Sequence, residues 1–164
     1  INAYIYWAKS VSAAVSDVAV SSPVPGIVDV RVLLQDGQEA TEAILEEIKE
    51  ALNADDIRPL TDTITVSVPD RMEFSVDVTF YIPQSSSESA AMIEAAVRDA
   101  VDNFITWQTA KMGRDINPSY LVQMMMEAGA KRVEVREPEF QTVTDMEVGR
   151  IKTKTVLNGG LEDA

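Results

Sequence analysis

Strict alternation of apolar and polar positions marks the strands of this chain. Over residues 72–82, Phe74, Val76, Val78, Phe80 and Ile82 share one face, while Ser75, Asp77, Thr79 and Tyr81 share the other. A sheet with one covered face and one wetter face produces that pattern. Ile64, Val66 and Val68 alternate with Thr63, Thr65 and Ser67 in a second strand, and Val28, Val30, Val32 and Leu34 build a third. Val133 and Val135, set between Arg132, Glu134 and Arg136, give a shorter fourth. Residues 17–21 and 148–157 read as additional edge strands, the latter because Lys152 and Lys154 are the kind of charges that guard an open edge.

Helical spacing predicts three helices. The first covers residues 41–53, with Ile44, Ile48 and Leu52 on one stripe. The second covers 86–109 and opens on Ser85-x-x-Glu88, a capping box; Ile93, Val97, Ala100, Val101, Phe104 and Ile105 form its stripe. The third starts at Asn117-Pro118, a cap followed by proline at the first helical position, and stops at Gly129. From residue 27 the order is βαββαβ with an extra short helix, the order of a ferredoxin-like α+β sandwich with additional edge strands. The expected organisation is therefore residues 1–26 as the tail of an interrupted upstream region plus an edge strand. Residues 27–164 follow as an α+β region, either one domain or two small subdomains split near residue 70. Pro23-Val24-Pro25-Gly26 and Gln84-Ser85-Ser86-Ser87 read as turns or caps, not linkers. Arg58-Pro59-Leu60 reads as a structural corner that launches the strand at 63–68. Proline fixes its own φ and biases Arg58 toward extended backbone, so the helix must end first. Leu60 is the expected buried plug.

Two zeros in the composition narrow the chemistry: the 164 residues include no His and no Cys. That removes disulfides, thiol chemistry, imidazole acids and bases and the usual zinc sites. An enzyme would need carboxylates, usually with a divalent metal. Asp55-Asp56 with Asp62 nearby is the best such group, but adjacent carboxylates diverge and no partner acid falls at a ligand spacing. Glu46, Glu47 and Glu50 read as a solvated helix face. With no glycine-rich phosphate loop either, the expectation is no catalytic residue, no cofactor and no metal.

Net charge is −13, so nucleic acid and anionic membranes should repel the chain. Phe74 and Phe80 share a face with valines and read as core, not as base-stacking platforms. The charge is also uneven: residues 39–109 hold fifteen acids and four cations, whereas eight of the fourteen cations follow residue 109. Either these are solvated faces, or the acidic middle and the cationic last third form complementary assembly surfaces. Trp107, just before Lys111-Met112-Gly113-Arg114, either packs against the third helix or anchors a partner. Candidate partner contacts are thus Trp107, Lys111, Arg114, Lys152 and Lys154. The run Met124-Met125-Met126 reads as core filler with one exposed position, or as an adaptable surface.

Three strings carry a resemblance to a known family. They are ALNADDIRPLTDTITVSVP at 51–69, WQTAKMGRDINPSYLVQMMMEAGAKRVEV at 107–135, and NGGLEDA at 158–164. Together they resemble the baseplate J-like family, baseplate assembly proteins of Mu-like contractile-tailed phages and prophages. The similarity corresponds to the C-terminal part of the family, in keeping with a first residue, Ile1, that is not Met. The resemblance implies a structural wedge component that contacts other wedge and hub proteins as a homo- or hetero-oligomer. It also implies a place in the virion tail baseplate, reached from the host cytoplasm during assembly, and brings no catalytic residue, cofactor or metal. Against it stands a generic α+β partner- or ligand-binding domain.

Overall fold

The computed structural model describes residues 2–54 and 62–164. In chain order the elements are α1 (Asn2–Val11), β1 (Val15–Ser21), β2 (Ile27–Leu34), α2 (Glu42–Leu52), β3 (Thr63–Ser67) and β4 (Asp70–Pro83). Then come α3 (Ala90–Thr109), α4 (Pro118–Glu127), β5 (Arg132–Glu137) and β6 (Glu147–Glu162). The chain divides into two compact units. The first contains residues 1–71, 110–114 and 144–148; the second contains 72–109, 115–143 and 149–164.

In the first unit the sheet order is β1-β2-β3. β1 and β2 pair antiparallel, Val18 opposite Val32 and Val20 opposite Val30. β2 and β3 pair parallel, Val28 opposite Ile64 and Val30 opposite Val66. Parallel neighbours need a crossover, and α2 lies in it. Its start is set by Thr41, whose hydroxyl accepts from the Ile44 amide at 3.4 Å. Ile48 and Leu52 then enter a core with Tyr4, Ala8, Val18, Val28, Val30, Val32 and Ile64. The end of β2 breaks the alternation: Leu34 joins this core, while Leu33 is buried separately with Met112 and Val148. A register shift in β1 between Val15 and Asp17 accompanies it, and the Asp17 carboxylate accepts from the Met112 amide at 2.8 Å.

The second unit's sheet has the order β5-β4-β6. Phe74, Val76, Val78, Phe80 and Ile82 of β4 pack against Val97, Val101 and Phe104 of α3 and Leu121 and Met125 of α4. Asn117 caps α4, its side-chain oxygen accepting from Ser119 N at 3.1 Å and Tyr120 N at 3.4 Å, with Pro118 in the first turn. Gly129, at φ +119°, follows the helix where the chain must turn back.

The α+β class is correct, and the element order from residue 27 follows the expected βαββαβ with α4 as the extra helix. A single ferredoxin-like sheet is not formed, because the strands divide between two three-stranded sheets. Both suspected edge strands, β1 and β6, do lie at sheet edges. The capping box at Ser85 and Glu88 is a second correction. Both residues sit in a 3-10 run over Gln84–Ser89, and α3 begins only at Ala90. Arg58, Pro59 and Leu60, and with them the predicted corner, lie outside the described residues, as do Asp55 and Asp56.

Candidate interaction surfaces

The densest polar constellation is at the C-terminal end of β6, in the second unit. Glu162 accepts from Lys131 Nζ at 2.7 Å and from Arg132 Nε and a terminal nitrogen at 2.8 and 2.9 Å. This two-point grip on a carboxylate is the geometry arginine favours. Arg132 also donates to Glu134 at 2.8 Å, and its guanidinium carbon lies 3.9 Å from the centre of the Tyr81 ring. Lys131 Nζ further contacts the Asp163 carbonyl. Arg132 and then Lys131 hold the Glu162 carboxyl down at about 2. Arg132 in turn lowers Glu134, and these acids raise Arg132.

The backbone leading to this grip depends on glycine. A Cβ at Gly159 would stand 2.4 Å from a Tyr81 ring carbon, and Gly160 has φ +98°. The Gly160 amide donates to the Asn158 side chain at 2.8 Å. Thus β6 passes directly over Tyr81, takes up a positive φ at Gly160 within the strand and delivers Glu162 to the cationic pair.

On the same unit lies an open cleft of about 540 Å³ whose lining includes Glu73, Glu137, Glu139, Arg136 and Lys152. Arg136 is already engaged, donating to Asp77 at 2.9 Å and to Thr79 at 2.9 Å. Lys154 is engaged as well, with Asp102 of α3 at 2.7 Å. Cations of the last third therefore pair within the chain with acids of the middle, so at these two positions opposite charges interleave instead of forming separate patches. Trp107 is half-buried, with its ring centre 4.4 Å from that of Tyr120 on α4 and 6.1 Å from that of Phe104. Lys111 and Lys152 are exposed, and Arg114 is half-buried. The candidate contacts divide between the units: Lys111 and Arg114 belong to the first, Trp107, Lys152 and Lys154 to the second.

The segment after Trp107 is held by polar contacts that its sequence gives no hint of. Gln108 is fully buried; it donates to the Asp115 carbonyl and accepts from the Asn117 amide, both at 3.0 Å. Asp115 accepts from the Val143 amide at 2.9 Å. In the first unit, Gly113 takes φ +72° and its amide donates to the Glu147 carbonyl at 3.0 Å. Met124 is half-buried, Met125 buried and Met126 43% exposed.

Two family domains match the chain in succession: the Baseplate J-like central domain over residues 1–68 and the Baseplate J-like protein C-terminal domain over residues 76–157. The chain belongs to the baseplate J-like family. It is 31% identical over 166 aligned positions to Baseplate protein J of Escherichia phage P2, covering 99% of this chain and 54% of that protein. The chain thus spans about half the length of this curated relative. Its fold is also similar to a chain in the cryo-EM structure of the anti-feeding prophage baseplate, solved with 6-fold symmetry imposed. There the TM-score is 0.63 at 13% identity, over 92% of this chain and 37% of the other. All three family-like strings now have an address. The first runs from α2 to beyond β3, the second from α3 to β5, and NGGLEDA is the end of β6 with its carboxylate grip. Lys131, Arg132 and Glu162 were missed as a site. The signal was available as the basic pair in AKRVEV and the acidic pair in NGGLEDA, but nothing in the sequence joins the two.

Proposed function

We propose that the chain is part of a structural component of a contractile-tail baseplate wedge, acting through protein–protein contacts and not by catalysis. The observation that carries this reading is the succession of central and C-terminal Baseplate J-like domains over one continuous chain. The place of work is then the tail baseplate of the virion, and the partners are other baseplate wedge and hub proteins. Of the candidate contacts, Lys111, Lys152 and Lys154 are exposed, Lys154 already paired with Asp102, whereas half-buried Trp107 lies against Tyr120. An in-frame deletion of the coding region in the parent phage or prophage tests the reading. Electron microscopy should show tails without complete baseplates, rescued by the wild-type gene supplied in trans. Normal contractile particles assembled without it would overturn the proposal.

A further inference from the structure

β6 ends its sheet in an open edge. In the order β5-β4-β6 it pairs with β4 on one side, and no strand of the described residues pairs with it on the other. Every residue from Ile151 to Thr155 is exposed, on both faces, although Ile151, Thr153 and Thr155 are β-branched and favour a strand flanked by neighbours. The Val156 carbonyl accepts from Arg98 of α3 at 3.0 Å, and the Gly160 amide donates to the Asn158 side chain at 2.8 Å, so here the main chain points away from β4. Main-chain groups two residues apart in a strand point the same way, which leaves those of Lys152 and Lys154 on the open side as well. A cleft of about 450 Å³ lies beside them, lined by Arg98, Asp102, Lys154, Thr155 and Val156. The edge carries charge of one sign: between Val148 and Leu161 the sequence holds Arg150, Lys152 and Lys154 and no acid, in a chain of net charge −13. Lys154 reaches Asp102 of α3 and Thr153 reaches Ser75 at 2.8 Å, so the lysines lie on the helix side of the sheet and the β-branched residues on the other. Both members of the Lys154–Asp102 pair are largely exposed, and such a pair gives way easily to another carboxylate.

We infer that residues 151–155 accept an added strand from another protein, an extended segment in which acidic residues alternate with β-branched or apolar ones. The inference rests on the reading above, that the chain works through contacts with other baseplate proteins. The open main-chain groups supply hydrogen bonds to any extended backbone, and the side chains select which one. Acids on the helix side meet Lys152 and Lys154, while β-branched neighbours on the other face lie beside Ile151, Thr153 and Thr155. The lysines act as a filter: they turn away an apolar or cationic strand and admit one whose carboxylates pair with them. A second copy of this chain fits badly. Two β6 edges set lysine against lysine, and β5, the other edge, presents Val133 and Val135 on its helix side where carboxylates are needed.

Synthetic peptides test it on the intact chain. A capped peptide alternating glutamate with threonine and valine should bind with a dissociation constant of about 1 mM or tighter, read by isothermal titration. Its lysine counterpart should not bind. Hydrogen exchange should show new protection at the Lys152 and Lys154 amides, while those of Thr153 and Thr155 stay as they are. In K152E/K154E the acidic peptide should bind roughly tenfold more weakly, and the lysine peptide should now bind. K152E alone, which leaves the Lys154–Asp102 pair in place, should shift both affinities the same way by a smaller factor, and serves if the double variant fails to fold. The acidic peptide N-methylated at every amide keeps its charges and loses its donors, so it should not bind. Equal binding of the methylated peptide would overturn the inference, as would protection gained outside β6 or no binding of any peptide. A chain that sediments as a dimer, with its β6 amides protected before peptide is added, puts a second copy on the edge and overturns it too. These measurements use the chain alone, so their failure removes the added strand and leaves the baseplate reading standing. Normal particles after the gene deletion remove that reading and leave the peptide result untouched.

Discussion

Gln108 shows how much one buried polar side chain can organise. Both ends of its amide are spent on backbone groups of the following segment, Asp115 O and Asn117 N. Replacing it by leucine keeps the volume and leaves both backbone groups unsatisfied, which costs about 1–3 kcal/mol for each buried group stranded without water. Urea denaturation of Q108L should therefore show a lower midpoint with an unchanged slope. Gly159 makes a second residue-scale case. In G159V the added side chain meets the Tyr81 ring where a Cβ alone would already stand at 2.4 Å. Amides of residues 158–162 should exchange faster with solvent while the core amides of β4 keep their protection. Neither role was legible in the sequence. Gln108 stood beside a helix stripe as an ordinary polar position, and the two glycines gave no sign that an aromatic ring lay beneath them.

Among the elements, periodicity performed well wherever a face is buried against one layer. The alternation over 72–82 foretold the β4 face that meets α3 and α4, because burial on one side leaves a two-residue period in the sequence. Phe80→Ala should cost about 3–5 kcal/mol, since the ring is fully buried and its removal leaves a cavity. Ends were less legible. Ser85 and Glu88 have the spacing of a capping box, yet a 3-10 run occupies those positions, and local sequence alone did not separate the two geometries. β6 was expected over 148–157 and runs on to Glu162, because its last stretch is fixed by Lys131 and Arg132 from elsewhere in the unit. This ending should respond to acid. Glu162 sits at about 2 in the folded chain against an ordinary 4.5, so the unfolded form binds the proton more readily between those values. Its stabilising contribution is complete above about 4.5 and disappears as the pH falls toward 2. Melting temperatures recorded across that window should fall less steeply in E162Q than in wild type.

At the scale of the whole molecule, the order of elements could be read but their partition could not. Which strands share a sheet depends on pairing between residues far apart, and two short sheets leave the same alternation as one longer sheet. Charge misled in a similar way: the cationic last third looked separate from the acidic middle, yet Arg136–Asp77 and Lys154–Asp102 bring the two together. The two large cores consist of different residues, Ile48 in one and Phe104 in the other. Hydrogen exchange on I48A should accordingly show its largest drop in protection in β1, β2 and β3, and on F104A in β4 and β5. Leu33 has a further consequence, one of timing. It is fully buried against Met112 and Val148, so the unit encoded first is covered at this point by residues made much later. At about 5–20 residues per second, a ribosome needs roughly 4–15 s to travel from the end of the first long stretch at residue 71 to Val148. During that interval the nascent chain carries Leu33 without Met112 and Val148 beside it, and the first long stretch of this unit waits for residues that follow far behind it.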